Sequence, residues 1–395
     1  MLQPGTFGLT LLLAMLTALG PLSMDMYLPS LPDIARALDA PIASTQLTIS
    51  SYLVGFALGQ MIYGPLSDRY GRRPVLLAAV VLYLVSTLAC AAAQSVDLLI
   101  AARLLQGLSG SGAIVLARAI VRDVHSGVQA ARELSLMGSI SATAPIIGPM
   151  IGGVLQTGFG WRANFFCMSA AGLIALLVAA RLLPETLRRS DRAGALSVFG
   201  MMRGYGAVAR HPGFLMYLGI ITTTYAGLFA WVSGASVVLQ GVYGLSAVTF
   251  GFTFALGAAG YMLGAMVATR LVLRLGLDRT IGVGVVVITA GGLSLALAVA
   301  TGVPGLWLVA AMALYLAGVG LAMPQAMAGA LTPFPDRAGT AASLMGLVQQ
   351  AVAAIAAGVL GAYLVKSAWP VTGVVVAMSC LTFLLWAFRR AKPAR

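Results

Sequence analysis

Residues 59–74 read Gly59-Gln60-Met61-Ile62-Tyr63-Gly64-Pro65-Leu66-Ser67-Asp68-Arg69-Tyr70-Gly71-Arg72-Arg73-Pro74, a knot of charge and glycine between two long apolar runs. Gly64, Asp68, Arg69, Gly71, Arg72 and Arg73 fall in the pattern G-x-x-x-D-R-x-G-R-R. Cations packed within a turn of a membrane span's end mark its cytoplasmic side. A glycine-bearing helix end lets a second helix approach closely. Arginines that only met lipid phosphates would need neither Asp68 nor the spaced glycines. The stretch therefore predicts a structured turn between two crossing helices.

The rest of the chain fits that reading. It is 60% hydrophobic and only 9% charged, where a soluble domain carries about a quarter charged residues. Its formal charge of +13 would suggest nucleic acid in a soluble protein. Here nearly all the arginine falls in gaps between apolar runs, so it reads as membrane topology, with lipid and not nucleic acid as the partner. Cys90, Cys167 and Cys380 lie far apart inside apolar runs and match neither a metal site nor a disulfide framework. No Walker loop, zinc motif or nucleophile elbow occurs, which points away from an enzyme, a cofactor or a metal and towards an ion gradient as energy source. Gly107–Gly112 is glycine-rich but lacks the Gly-Lys-Ser/Thr ending of a phosphate loop, so it reads as helix packing.

Runs of about 20 apolar residues predict twelve spans, near 8–30, 42–66, 74–94, 98–121, 133–158, 162–182, 212–236, 245–270, 280–301, 304–329, 339–365 and 369–388. The first run has no basic stretch before it and is read as a retained helix. Alternate gaps hold twenty Lys and Arg on one side against Arg36, Arg162 and Lys366 on the other. That imbalance predicts both termini in the cytoplasm. The longest polar interval divides six spans from six. The expected organisation is an all-α membrane protein of twelve transmembrane helices: a bundle over 1–183, a cytoplasmic linker over 184–211 and a second bundle over 212–395. Arg274-Leu275-Gly276-Leu277-Asp278-Arg279 follows the eighth span much as residues 69–73 follow the second, with Leu273 in place of Asp68.

The charged turn resembles the loop between helices two and three of the major facilitator superfamily. Within it, Arg103-x-x-Gln106-Gly107 on the fourth span resembles a drug:proton antiporter motif, and the resemblance implies that Arg103 assists proton transfer. The residues alone leave open whether Arg103 snorkels to the nearby outer surface. Pro145, Gly148, Pro149, Gly152 and Gly153, with Ala144, resemble the G-x-x-x-G-P-x-x-G-G antiporter motif on helix five. Small residues four apart give a flat face and the prolines bend the helix. Either the face slides against helix eight of the other half, where Gly257, Gly260 and Gly264 supply the opposite surface, or it is an ordinary close-packed crossing. Asp25-Met26-Tyr27-Leu28-Pro29-Ser30-Leu31-Pro32 is similar to the first helix of the bicyclomycin/chloramphenicol-resistance family, and residues 225–229 and 237–240 resemble its seventh. Related exporters carry a further acid one to two turns earlier. Leu16–Met24 contains none, so a two-carboxylate mechanism is not implied.

The resemblance implies a proton-coupled multidrug efflux transporter of a bacterial inner membrane, working as a monomer by alternating access and exchanging small, fairly apolar compounds for protons. The alternative is a proton-coupled transporter of a metabolite such as an amino acid or sugar derivative. Asp25 is the carboxylate placed well inside a span, and a lone carboxylate in low dielectric resists ionisation. It is the expected proton carrier, unless it lies at a helix end wetted by the outer surface. Met26, Tyr52, Gln60, Met137, Tyr225, Phe229, Trp231, Tyr261, Met262, Gln325 and Gln349 are the candidates for a substrate cavity. At the cytoplasmic gate, Asp68 is expected to pair with Arg118 or Arg122 and with the start of helix eleven when the cavity opens outward.

Overall fold

The computed structural model describes residues 7–125, 127–187, 204–334, 337–363 and 367–391. Arg188, Arg189, Arg192, Arg203, Lys366, Lys392 and Arg395, which enter the charge asymmetry, lie outside the described residues, as does most of the expected linker. The chain divides into two compact units, Met1–Ser197 and Val198–Arg395.

In the first unit α1 (Phe7–Asp25) gives way to a tight turn over Leu28–Ser30 and the short α2 (Leu31–Ala37). Then come α3 (Ile42–Tyr70), α4 (Arg72–Ala92), α5 (Val96–Val124), α6 (Gly127–Ser141), α7 (Ala144–Phe159) and α8 (Arg162–Leu182). The second unit holds α9 (Pro212–Ser236), which continues as a widened turn over Val237–Val242. It is followed by α10 (Ala247–Leu275), α11 (Leu277–Thr301), α12 (Gly305–Leu331), α13 (Ala338–Tyr363) and α14 (Trp369–Ala391). There is no strand among the described residues. Apolar runs of about 20 residues favour the helix, which satisfies every backbone group within the segment where no water is present.

Eleven helical segments among the described residues are long and apolar enough to cross a membrane. The twelfth expected span, the fifth in order, is broken. It was expected as one helix over 133–158, but α6 stops at Ser141 and α7 starts at Ala144. Pro145 explains the break: it has no N–H to give Ser141, four residues back, and its ring clashes with that carbonyl. Counted as one broken crossing, α6 and α7 complete twelve.

Glycines set the closest helix crossings. A Cβ on Gly55 would stand 2.0 Å from the Leu104 carbonyl oxygen, and one on Gly107 equally close to that of Tyr52, so α3 and α5 touch backbone to backbone. The second unit repeats this. Gly260 and Gly264 of α10 lie against the carbonyls of Ala313 and Ala317 on α12, and Gly320 of α12 against that of Tyr261. Gly55, Gly59 and Gly71 recur as Gly260, Gly264 and Gly276, each 205 residues later. The turns repeat too. Gly71 (φ 101°) alone joins α3 to α4 and Gly276 (φ 77°) alone joins α10 to α11, at angles open to glycine and strained for other residues. Internal repetition is thus present in geometry as well as in sequence.

Candidate functional site

Asp25 is the last residue of α1, 8% exposed, in a segment that stays helical or tightly turned as far as Ala37. The wetted helix end is therefore not what this unit presents. Among the described residues no cation pairs with the Asp25 carboxylate and no side chain donates to it. The broken fifth span clasps it. A Cβ on Gly148 would sit 2.9 Å from the Asp25 Cβ, and one on Gly152 only 2.4 Å from the Met26 carbonyl oxygen. Asn164 of α8 ties the same place together, its amide donating to the Ser30 hydroxyl (2.9 Å) and to the Gly152 carbonyl (3.4 Å). Gly148 and Gly152 are occupied by α1, Gly257 meets Leu316, and Gly260 and Gly264 are occupied by α12.

Arg103 is fully buried, so it does not snorkel. Its Nη1 donates to the Ser23 carbonyl (3.0 Å) and to Gln106 Oε1 (2.6 Å), and the guanidinium lies 4.4 Å and 4.3 Å from the ring centroids of Tyr27 and Tyr52. Two desolvated cation–π contacts of about 2 kcal/mol each offset part of the cost of burying the charge. The rings are themselves fixed. Tyr27 Oη shares a hydrogen bond with Thr48 Oγ1 (2.6 Å), and Tyr52 Oη donates to the Gly20 carbonyl (2.8 Å). Tyr83 Oη meets Ser23 Oγ (2.7 Å), and Gln106 Nε2 donates to Thr87 Oγ1 (3.0 Å). Arg103 thus holds the last turn of α1, through Ser23, two residues before Asp25. Tyr27, Tyr83, Thr87 and Ser23 were missed as site residues. All four lie within the expected spans, but nothing in the sequence aims them at Arg103.

Asp68 pairs with Arg72 (2.5 Å), four residues on, and not with Arg118 or Arg122, which are exposed. Arg72 is the hub: its Nε also donates to Asp123 (2.8 Å) and its Nη1 to Ser67 (2.6 Å). Its reach is favoured because Gly71 puts it at the first position of α4, facing the end of α3. Glu185 supplies the cap that Gly71 has no side chain to give, accepting the backbone N–H of Arg72 (2.9 Å) and Arg73 (3.3 Å). Arg73 reaches the Ala180 carbonyl (2.6 Å), Arg69 lies over Tyr70, and an added Cβ on Gly64 has nothing within 4 Å among the described residues.

Of the cavity candidates, Tyr52 is committed to the Arg103 cage and Met137 to the apolar core with Leu13, Leu16 and Ile120. Met26 is buried under Gly152, and Gln60 is half-buried. In the second unit Trp231 and Gln349 are buried; Tyr225, Phe229, Tyr261 and Gln325 are half-buried; Met262 is exposed. Pro145, Pro149 and Gly153 belong to α7, where Pro149 and Gly153 are buried. No group of three or more His, Cys, Asp or Glu among the described residues is placed to hold a metal ion.

Residues 13–357 match the Major Facilitator Superfamily. The bicyclomycin resistance protein homolog of Haemophilus influenzae is 30% identical over 394 residues, 99% of this chain and 98% of that protein. The chloramphenicol resistance protein of Pseudomonas aeruginosa is 30% identical over 392 residues, 98% and 91% of the two chains. Among solved structures, the xylose transporter XylE of E. coli covers 98% of each chain with a TM-score of 0.73 at 16% identity, a likeness of fold.

Proposed function

Because the chain belongs to the Major Facilitator Superfamily of membrane transporters, we propose that it is a drug:proton antiporter in which Asp25 carries the proton. The carrying observation is the buried Asp25 carboxylate with no counter-charge among the described residues, set at the end of α1 between Arg103's grip on Ser23 and the Gly148–Gly152 clasp. Burying an unpaired carboxylate is far costlier charged than neutral. Such a group gives up its proton when a polar or cationic ligand arrives and takes one when the ligand leaves, which is the exchange that antiport needs. Relatives named for bicyclomycin and chloramphenicol resistance support small antibiotic-like cargo.

Arg103 acts through position in this reading: it fixes the backbone that carries Asp25 and keeps its own charge shielded by Tyr27 and Tyr52. The Asp68–Arg72–Asp123 cluster is the cytoplasmic lock of alternating access, in a bacterial inner membrane with both termini inside the cell and the protein acting as a monomer. Energised everted vesicles test the reading. Wild-type protein should accumulate chloramphenicol or tetraphenylphosphonium, and an uncoupler should abolish the accumulation. Accumulation indifferent to the uncoupler would refute proton coupling.

A further inference from the structure

Asp25 is buried, yet a proton carrier must exchange its proton with water. With its start in the cytoplasm, α1 points its Asp25 end outward, towards the tight turn and α2. Polar groups stand on two sides of that segment. Towards α3 and α5 are Tyr27, Thr48 and Tyr52, but the Arg103 guanidinium lies over both rings. A fixed cation in low dielectric repels an excess proton, so this side is closed to it. The side facing α7 and α8 differs. Its two cations are already engaged, Arg36 with Asp33 at the surface and Arg162 with the carbonyls of Ala91 (3.0 Å) and Ala93 (2.9 Å).

One face of α7 follows this segment from acid to acid. Gly148, Gly152 and Gln156 stand four residues apart and share that face over about 12 Å of helix. Gly148 lies at Asp25 and Gly152 at Met26, while the Gln156 amide donates to Asp33 Oδ2 and Arg36 donates to Oδ1. Between the two acids the Asn164 amide donates to Ser30 and to the Gly152 carbonyl. Both amide nitrogens are thus in use. Their oxygens are not: Gln156 Oε1 and Asn164 Oδ1 are buried and meet no donor among the described residues, in side chains 7% and 0% exposed. A buried acceptor left without a donor is unfavourable by about 1–3 kcal/mol. Water is the usual donor to such groups inside a protein. An apolar strut between α7 and α8 would carry neither oxygen.

We infer that Asp33, Gln156 and Asn164 form the outer proton route to Asp25. Asp33 is half-buried at the mouth and draws protons to it. Gln156 Oε1 and Asn164 Oδ1 hold, as acceptors, the water that carries the proton inward. At each hop one O–H bond breaks as the next forms. The net change is one proton taken from the outer solution and bound by the Asp25 carboxylate, which becomes neutral. The two amides exchange no proton themselves and are positioning residues. The route rests on the antiport reading and adds to it the path from the outer solution to the carrier.

The test reconstitutes full-length protein in liposomes and follows tetraphenylphosphonium in two modes, with the membrane potential clamped. Counterflow, the exchange of labelled for unlabelled probe at equal pH, needs no proton route. Accumulation driven by a pH gradient does. Gln156→Leu should leave counterflow near wild type and slow driven accumulation at least about 10-fold, the loss of positioned proton transfer. Asp33→Asn keeps an oxygen for Gln156 and should lag most at alkaline outer pH, where protons are scarce. The inference is overturned if Gln156→Leu is driven as fast as wild type, or if its counterflow falls equally, as from a lost strut. It is also overturned if Asp33→Asn keeps the wild-type dependence on outer pH. Wild type that performs counterflow but ignores the pH gradient would sink the antiport reading and the route with it. A driven wild type with an equally driven Gln156→Leu would sink the route alone.

Discussion

Gly152→Ala adds one methyl group where the fifth span meets the end of α1. The new Cβ would lie 2.4 Å from the Met26 carbonyl oxygen, 2.9 Å from its Cα and 3.0 Å from its carbonyl carbon. All three are backbone atoms, so no side chain can turn aside. Ordinary contact begins near about 3.5 Å, so Met26 or α7 must retreat by about 1 Å. Overpacking of this kind costs about 1–3 kcal/mol. Falling on this conformation alone, it lowers its population against the competing one about 5- to 150-fold. The residue displaced with Met26 is Asp25. Proton-driven export by Gly152→Ala should therefore drop at least about fivefold while the protein still reaches the membrane. Gly138→Ala, on α6 with nothing within 4 Å among the described residues, is the control and should transport as wild type. Export in everted vesicles, normalised to protein in the membrane, reads both. Undiminished export by Gly152→Ala would refute the clasp.

Arg103→Lys should lower export more than about 10-fold and reduce thermal stability, since a compact ammonium cannot stack between two rings while forking to Ser23 and Gln106; a wild-type profile would refute the cage. Among the charged-turn variants, Arg72→Ala should damage transport more than Asp68→Asn or Arg118→Ala, because Arg72 alone joins Ser67, Asp68 and Asp123; vesicle export ranks them, and Arg118→Ala as the worst would restore the expected Asp68–Arg118 pair. Gly64→Ala should be silent in the same assay, as nothing lies near its added Cβ; lost export would show that Gly64 is approached in another conformation.

The helices were legible because their signals are local. Apolar run length and arginines at span ends act within a few residues, but the runs stop at 66 and 270 and resume at 74 and 280, so the one-residue turns at Gly71 and Gly276 were not legible. The break in the fifth span was half legible: Pro145 was read as a bend, yet its effect on Ser141 ends the helix outright. What stayed hidden depends on which faces meet. Nothing in the spacing tells Gly148 and Gly152 to pack on α1, or Gly260 and Gly264 to pack on α12. Arg103 at the outer part of its helix is as consistent with snorkelling as with a cage until Tyr27, Tyr52 and Ser23 are brought to it from α1 and α3. Asp68 had its partner four residues away across Gly71, and the positive-φ turn that lets Arg72 fold back is visible only in the backbone.

Asp25→Asn tests the central claim most directly, because it replaces the carboxylate by an amide of nearly the same shape. Purified wild-type protein in weakly buffered solution should release a proton when tetraphenylphosphonium binds at neutral pH. Asp25→Asn should bind the same cation, release no proton and fail to export it against a gradient. Proton release and uphill export surviving in Asp25→Asn would contradict the account.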